Sequence, residues 1–306
     1  MDLQVIFLGT AGSIPTTQRA LPAIAVKRKN ELILFDCGEG AQRQMVQAKL
    51  SFHKMTKVFI SHMHGDHVLG LPGLLQTMAL LDRTQELEIY GPAGVEAFIN
   101  AIGETVQFAK TFPIIIKEIT EEGTVCDEKE YTIQAVKANH LVNDLAYALV
   151  EKPRPGRFNQ EKAKKLGVPK GPLWSKLQHG ESVTLPNNKI VKPQAVLGKP
   201  RPGRKIVYTG DTRPTRTVER LAKNADLLIH EAAFGDELKE RANEDGHSTP
   251  TEAAEIAKEA NVKWLVLTHV SARYETTEAL LKQAKKTFRN VSVAEDFTRI
   301  ELKQSN

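Results

Sequence analysis

The chain has 306 residues, 41% of them hydrophobic and 26% charged, with a formal net charge of +5; that balance predicts a soluble globular protein and excludes a disordered or fibrous chain. No apolar run approaches the roughly 18 residues that span a bilayer, so no membrane segment is expected, and the opening Met1-Asp2-Leu3-Gln4 lacks the basic start and cleavage site of a signal peptide. Two cysteines, Cys37 and Cys126, make no disulfide framework and point to a reducing cytoplasm.

Short apolar runs bounded by Gly, Pro or charge predict strands over 4–8, 23–27 and 32–36, a helix over 39–48 and a strand over 58–61. A helix over 71–81, with Pro72 in its first turn, a strand over 87–90 and a helix over 94–105 follow. Residues 114–119, 131–138 and 145–150 read as successive strands. The pattern then changes. Residues 151–204 carry eight prolines, 13 Lys or Arg and only three Asp or Glu, about +10 against about −5 for the rest of the chain. This reads as an inserted basic arm with little core of its own and one short helix over 160–166. Order resumes with strands over 205–208, 226–230 and 264–268, helices over 215–223, 249–260 and 276–286, and last strands near 291–294 and 297–302. The helix at 249 is expected to be capped by Ser248 or Thr249, ahead of Pro250. Two halves of strands and helices predict one α/β domain of two sheets packed face to face with helices outside.

His62-x-His64-x-Asp66-His67 at a strand end carries the chemistry. Imidazole and carboxylate at that density suit Zn²⁺ or a similar divalent ion, and Gly65 is expected to let the backbone turn the four side chains inward. One loop does not close two metal shells, so further ligands are expected at other strand ends. His140, Asp211 and His269 each follow a predicted strand.

These residues, in this order, resemble the metallo-β-lactamase superfamily, and within it the short form of the tRNase Z family over essentially the whole chain. The resemblance implies a four-layer αββα sandwich, here spanning 1–306 with the arm inserted at about 151–204, and two Zn²⁺ ions at its edge. It implies that His62, His64 and His140 hold one zinc, that Asp66, His67 and His269 hold the other, that Asp211 bridges them, and that Asp36 supports the site from behind. His230-Glu231-Ala232-Ala233 resembles the family's His-Glu-Ala-Thr loop, with Ala233 in place of Thr. His247-Ser248-Thr249 matches its His-Ser-Thr loop. Pro15 to Ala20 resembles a substrate loop reading Pro-x-Lys-x-Arg-Asn, which makes Arg19 a substrate-binding candidate, although Thr17 replaces Lys and Ala20 replaces Asn. Gly171-Pro172 resembles the Gly-Pro motif of the family's tRNA-binding arm.

The expected activity is endonucleolytic removal of the 3′ trailer from precursor tRNA, leaving a tRNA 3′-hydroxyl and a trailer 5′-phosphate. Asp66 would orient and deprotonate the attacking water, His247 would protonate the leaving 3′ oxygen, and Glu231 would fix the tautomer of His247 and raise its pKa. The resemblance also implies a homodimer in which one subunit's arm clamps tRNA for the other's site. Two alternatives stay open. The same metal pair would serve a small-molecule hydrolase, which needs no basic arm. A tRNA-binding protein with a structural zinc needs four ligands, and seven candidates are too many for that.

Overall fold

The computed structural model describes residues 3–107 and 109–304. They form two compact units. One runs to Val150 and resumes over Lys205–Lys303; the other is Glu151–Arg204 with Gln304.

The first unit is a four-layer αββα sandwich. One seven-stranded sheet orders Arg299–Glu301, Leu3–Gly9, Ala23–Arg28, Glu31–Phe35, Met55–Phe59, Leu87–Gly91 and Ile114–Glu118. The other orders Val291–Val293, Leu265–Thr268, Leu227–Glu231, Lys205–Tyr208, Leu145–Glu151, Tyr131–Lys137 and Gly123–Asp127. Because side chains alternate along a strand, Leu3, Val5 and Phe7 enter the core between the sheets, while Ile6 and Leu8 pack under helices Ala41–Gln47 and Leu71–Leu80. Helices Arg216–Ala222, Pro250–Glu259 and Glu278–Lys285 cover the second sheet over a third core. Strands buried on both faces read as unbroken apolar runs. Each fully buried Val, Leu or Phe contributes about 1.5–3 kcal/mol.

Topology places the site. Glu31–Phe35, Met55–Phe59 and Leu87–Gly91 run parallel, and so do Lys205–Tyr208, Leu227–Glu231 and Leu265–Thr268. Loops leaving the carboxyl ends of parallel strands share one edge, where open α/β sheets place their ligands. The capping residue of Pro250–Glu259 is Thr249, in a reciprocal capping box with Glu252.

The second unit differs from the sequence reading, which gave it one helix and little core. It has two helices, Gln160–Lys165 and Pro172–Gln178, and a small hairpin of Val183–Thr184 with Ile190–Val191. Ala163, Val168, Trp174, Leu177, Val183, Leu185, Val191 and Val196 make its core. Elements this short carry too few turns to show a period, and their apolar residues meet only through proline-rich loops. Trp174 is buried, donates its indole N–H to the Val168 carbonyl at 3.0 Å and packs on Phe158, so it anchors the unit. The buried bidentate pair of Arg204 with Glu151 ties the ends of the segment together.

Candidate metal centre

The strand Met55–Phe59 ends before the motif begins. His62 follows the strand in irregular backbone, His64, itself extended, caps a single helical turn, Gly65–Val68, and that turn carries Asp66 and His67. The role expected of Gly65 is corrected: it holds no left-handed conformation, and the helical turn rather than a glycine bend directs the side chains. His140, Asp211 and His269 arrive from the second sheet, the last with a positive φ of 58°.

All seven side chains converge. His62, His64 and His140 form one group of potential ligand atoms, and Asp66, His67 and His269 another. Asp211 lies between them: its Oδ2 is 3.8 Å from Nε2 of His62, 3.3 Å from Nε2 of His67 and 3.3 Å from Nε2 of His269. Nε2 of His67 and Nε2 of His269 are 3.3 Å apart, and His140 Nε2 is 3.4 Å from His64 Nδ1. Asp66 Oδ2 stands 3.5 Å from His67 and 3.4 Å from His269 and accepts the Ser13 amide N–H at 3.0 Å.

The opposite ring nitrogens decide what this cluster accepts. Nδ1 of His67 donates to Asp36 Oδ2 at 2.7 Å, Nδ1 of His62 to Asp144 Oδ2 at 2.8 Å, and Nδ1 of His140 to the Gly246 carbonyl at 2.9 Å. Each bond turns an Nε2 lone pair inward. Nε2 of His62 and Oδ1 of Asp211 are buried with no hydrogen-bond partner. Inward lone pairs, carboxylates and unpartnered buried donor atoms fit a divalent cation. The proton affinities divide: burial lowers His67, but the Asp211 and Asp36 carboxylates raise it well above the ordinary imidazole value, so it carries a second proton where no cation is bound. Burial and neighbouring His67 push His62 down to about 4, leaving it neutral. Burial raises Asp66, but hydrogen bonds from His269 and His67 carry it below the ordinary carboxylate range.

The supports are dense. Asp36, fully buried at φ 55°, accepts from the Ser61 amide at 2.7 Å, the Ser61 hydroxyl at 2.8 Å and the Tyr208 hydroxyl at 2.6 Å, besides His67. Asp144 escaped the sequence reading, which had only its place before a strand to go on. Gly210 marks it in retrospect: at φ +61°, a Cβ there would meet Asp144 Oδ1 at 2.6 Å.

Glu231 and His247 lie against the cluster. Nδ1 of His247 is 2.9 Å from Glu231 Oε1, which also accepts the Thr212 amide; Glu231 Oε2 accepts the Ala233 amide at 3.0 Å. Burial opposes charge on His247, but the Glu231 carboxylate, with help from Asp211, raises it to about 9. Arg213 fixes the loop, donating to the His247 carbonyl at 2.6 Å and pairing with Glu252.

None of the candidates for substrate contact belongs to the groups of potential ligand atoms. Nη1 of Arg19 donates to Thr10 Oγ1 at 2.6 Å and to the Ala294 carbonyl at 2.7 Å, pinning the loop it belongs to, and Ala20 N donates to Asp296. That loop lines a cavity of about 360 Å³ with Glu39, Arg43 and Gln47. Gly171, at φ +141°, and Pro172 start a helix of the second unit.

A family model described as a beta-lactamase superfamily domain matches residues 180–270, and one described as anti-Pycsar protein Apyc1 matches residues 3–152. The chain is 49% identical over 301 residues to Ribonuclease Z of Methanosarcina acetivorans, covering 98% of each chain. It is 46% identical to Ribonuclease Z of Myxococcus xanthus, again over 98% of each. The crystal structure of human tRNase Z, short form, superposes with a TM-score of 0.72 at 30% identity, over 97% of this chain and 98% of that one.

Proposed function

The chain belongs to the ribonuclease Z family and is a metal-dependent endoribonuclease of tRNA 3′ processing; on that premise we propose how its residues divide the work. His62, His64 and His140 would hold one zinc ion, Asp66, His67 and His269 would hold a second, and Asp211, between the two groups, would serve both. The observation that carries this is Asp211 Oδ2, within 3.3–3.8 Å of imidazole nitrogens from both groups. Imidazole nitrogen and carboxylate oxygen in this proportion suit Zn²⁺. A metal pair, when bound, supplies Lewis-acid neutralisation of a phosphodiester.

The protein supplies the rest. Asp66, its Oδ2 held by the Ser13 amide, orients the attacking water and takes its proton. His247 protonates the 3′ oxygen that leaves with the tRNA. Glu231 keeps that imidazole charged and aimed. The products are a tRNA 3′-hydroxyl and a trailer 5′-phosphate. The second unit, with 13 Lys or Arg, binds the phosphate backbone of precursor tRNA, and Gly171-Pro172 and Arg19 belong to substrate recognition. In the proposed homodimer one subunit's arm serves the other's site. A cytoplasmic setting suits two buried, free thiols, and no helix among the described residues is long and apolar enough to cross a membrane. The test is incubation with end-labelled precursor tRNA and mapping of both new ends. A cut beside the discriminator with a 3′-hydroxyl and a 5′-phosphate is expected; a 3′-phosphate or a 2′,3′-cyclic end overturns the reading.

A further inference from the structure

We propose that Asp144 is a positioning residue of the metal centre: it fastens His62, from one group of ligands, to the backbone of Asp211, and so governs how tightly an ion at His62, His64 and His140 is held. Its carboxyl group is buried, and Oδ2 takes two donors, Nδ1–H of His62 at 2.8 Å and the Asp211 amide N–H at 3.3 Å. Oδ1 is buried too and has no hydrogen-bond partner among the described residues. Gly210, at φ +61°, closes the space beside it, since a Cβ there would meet Asp144 Oδ1 at 2.6 Å and Ser61 Cβ at 2.8 Å. The backbone is fixed on both sides: the Asp144 carbonyl accepts the Ala138 amide at 2.9 Å, and Leu145 N donates to the Ser61 carbonyl at 3.0 Å. The carboxyl group therefore stands between His62, which comes from the first sheet, and Asp211, which comes from the second.

A buried carboxyl group with one oxygen unpartnered costs the fold free energy. Burial and the Asp211 and Asp36 carboxylates push Asp144 well above the ordinary carboxylate range, so the surroundings suit the acid poorly. What Asp144 supplies is an acceptor at one fixed point. It keeps the proton of His62 on Nδ1, which leaves the Nε2 lone pair for a cation, and it holds the Asp211 backbone at the same time. Ser61 Oγ also lies 3.0 Å from His62 Nδ1, but it is already committed as a donor to Asp36, the support of His67. The two groups of ligands thus lean on different carboxyl groups, His62 on Asp144 and His67 on Asp36, and that makes the effect of Asp144 selective for one of them.

This rests on the reading of the centre as a two-ion site, and the experiment separates the two. Metal is stripped from the parent, Asp144→Asn and Asp144→Ala, and zinc is returned in competition with a chromophoric chelator. Urea unfolding is followed on the metal-free proteins, and precursor tRNA cleavage on the reloaded ones. The parent is expected to take up two ions. Asp144→Ala should weaken one of the two affinities about 10–100-fold and leave the other near the parent's value. Asp144→Asn should recover most of that loss, because its amide oxygen still accepts both N–H groups. Metal-free Asp144→Ala should unfold at no lower urea concentration than the metal-free parent, since the unpartnered acid is gone. Its cleavage of precursor tRNA should be slow at zinc concentrations that saturate the parent and recover as zinc is raised. Undiminished affinities in Asp144→Ala overturn the proposal, and so does a loss in Asp144→Asn as large as in Asp144→Ala. Equal weakening of both affinities with a lower unfolding midpoint also overturns it, by making Asp144 a residue of the fold alone. A parent that takes up a single ion defeats the two-ion reading, and the proposal with it. A loaded parent that leaves precursor tRNA uncut defeats the endoribonuclease reading and leaves the metal result standing.

Discussion

Oδ2 of Asp36 lies 2.7 Å from Nδ1 of His67, and Asp36 reaches it from a left-handed backbone at φ 55°. Asn tolerates that conformation as well as Asp does, whereas Ala would add strain. Asp36→Asn therefore tests the carboxylate alone. It leaves the ring of His67 with a weaker acceptor and unsettles the Ser61 and Tyr208 donors around it. Metal affinity is expected to drop about 10–100-fold, read by competition with a chromophoric chelator. Unchanged affinity would show that Asp36 holds the fold and not the metal.

Asp211→Ala removes the oxygen shared by His62, His67 and His269. Elemental analysis of the parent should find about two divalent ions per chain, from the ligand count. The variant should hold fewer, and its cleavage of precursor tRNA should be nearly abolished. A variant with both ions and full activity refutes the bridging role.

The motif was legible because its chemistry is local: three His and one Asp within six positions at the end of an apolar run. Asp211 and His269 were legible because each closes a strand whose apolar run is unbroken, and parallel topology then brings those strand ends together; His140 was legible because it follows the alternating strand Tyr131–Lys137. Asp144 was not, since a lone Asp four residues after His140 acquires its role only when the antiparallel strand Leu145–Glu151 sets it beside His62. The edge strand Gly123–Asp127 was missed for a similar reason. It is half exposed, charged at its end and carries a bulge, so it lacks the alternation that betrays a strand. Residues 151–204 announced their charge and hid their core, which is built from single apolar residues on elements of two to seven residues.

His247→Ala should keep metal and tRNA binding and slow cleavage about 10²–10⁴-fold, the range of a lost general acid. A p-nitrophenyl ester separates this role from a structural one, because its leaving group departs without a proton. The variant should hydrolyse that ester nearly as fast as the parent. Equal slowing on both substrates would mean that His247 does not act mainly as the proton donor.

Arg213 and Glu252 give a pH-dependent contribution to stability. Their side chains are 16% and 7% exposed and share two hydrogen bonds of 2.7 and 2.8 Å. Burial raises the Glu252 carboxyl, but the Arg213 hydrogen bond and the Thr249 amide carry it below the ordinary range. A carboxyl depressed in the folded state stabilises the fold above its unfolded value, about 4.3, and that contribution is lost as pH falls through the folded value. Arg213→Met should lower stability at pH 7 by about 2 kcal/mol, less than a fully buried pair because Arg213 is partly solvated. The gap between parent and variant in urea unfolding should narrow as pH falls from about 5 to 3. A gap independent of pH would show that the loss came from packing.

The second unit can be removed at a place its own geometry defines. Arg154 and Arg201 are bridged antiparallel partners, and the Glu151–Arg204 pair lies just outside them, so the two strands of the stalk already run side by side. Replacing residues 155–200 with a short Gly-Ser turn therefore closes the chain without stretching it. The cut takes out the whole small core; a cut confined to part of it would expose Val191 and Val196. All seven proposed ligands, with Glu231 and His247, belong to the other unit. Turnover of bis(p-nitrophenyl) phosphate should survive the deletion largely intact. Precursor tRNA cleavage should fall steeply through weaker binding, and each lost phosphate contact should flatten the slope of log K on log salt by about 0.7–0.9. Affinity measured across a salt series, beside diester turnover, reads both at once. Equal affinity and equal slopes in parent and deletion would remove the arm from tRNA recognition and move the reading toward a hydrolase of small phosphodiesters.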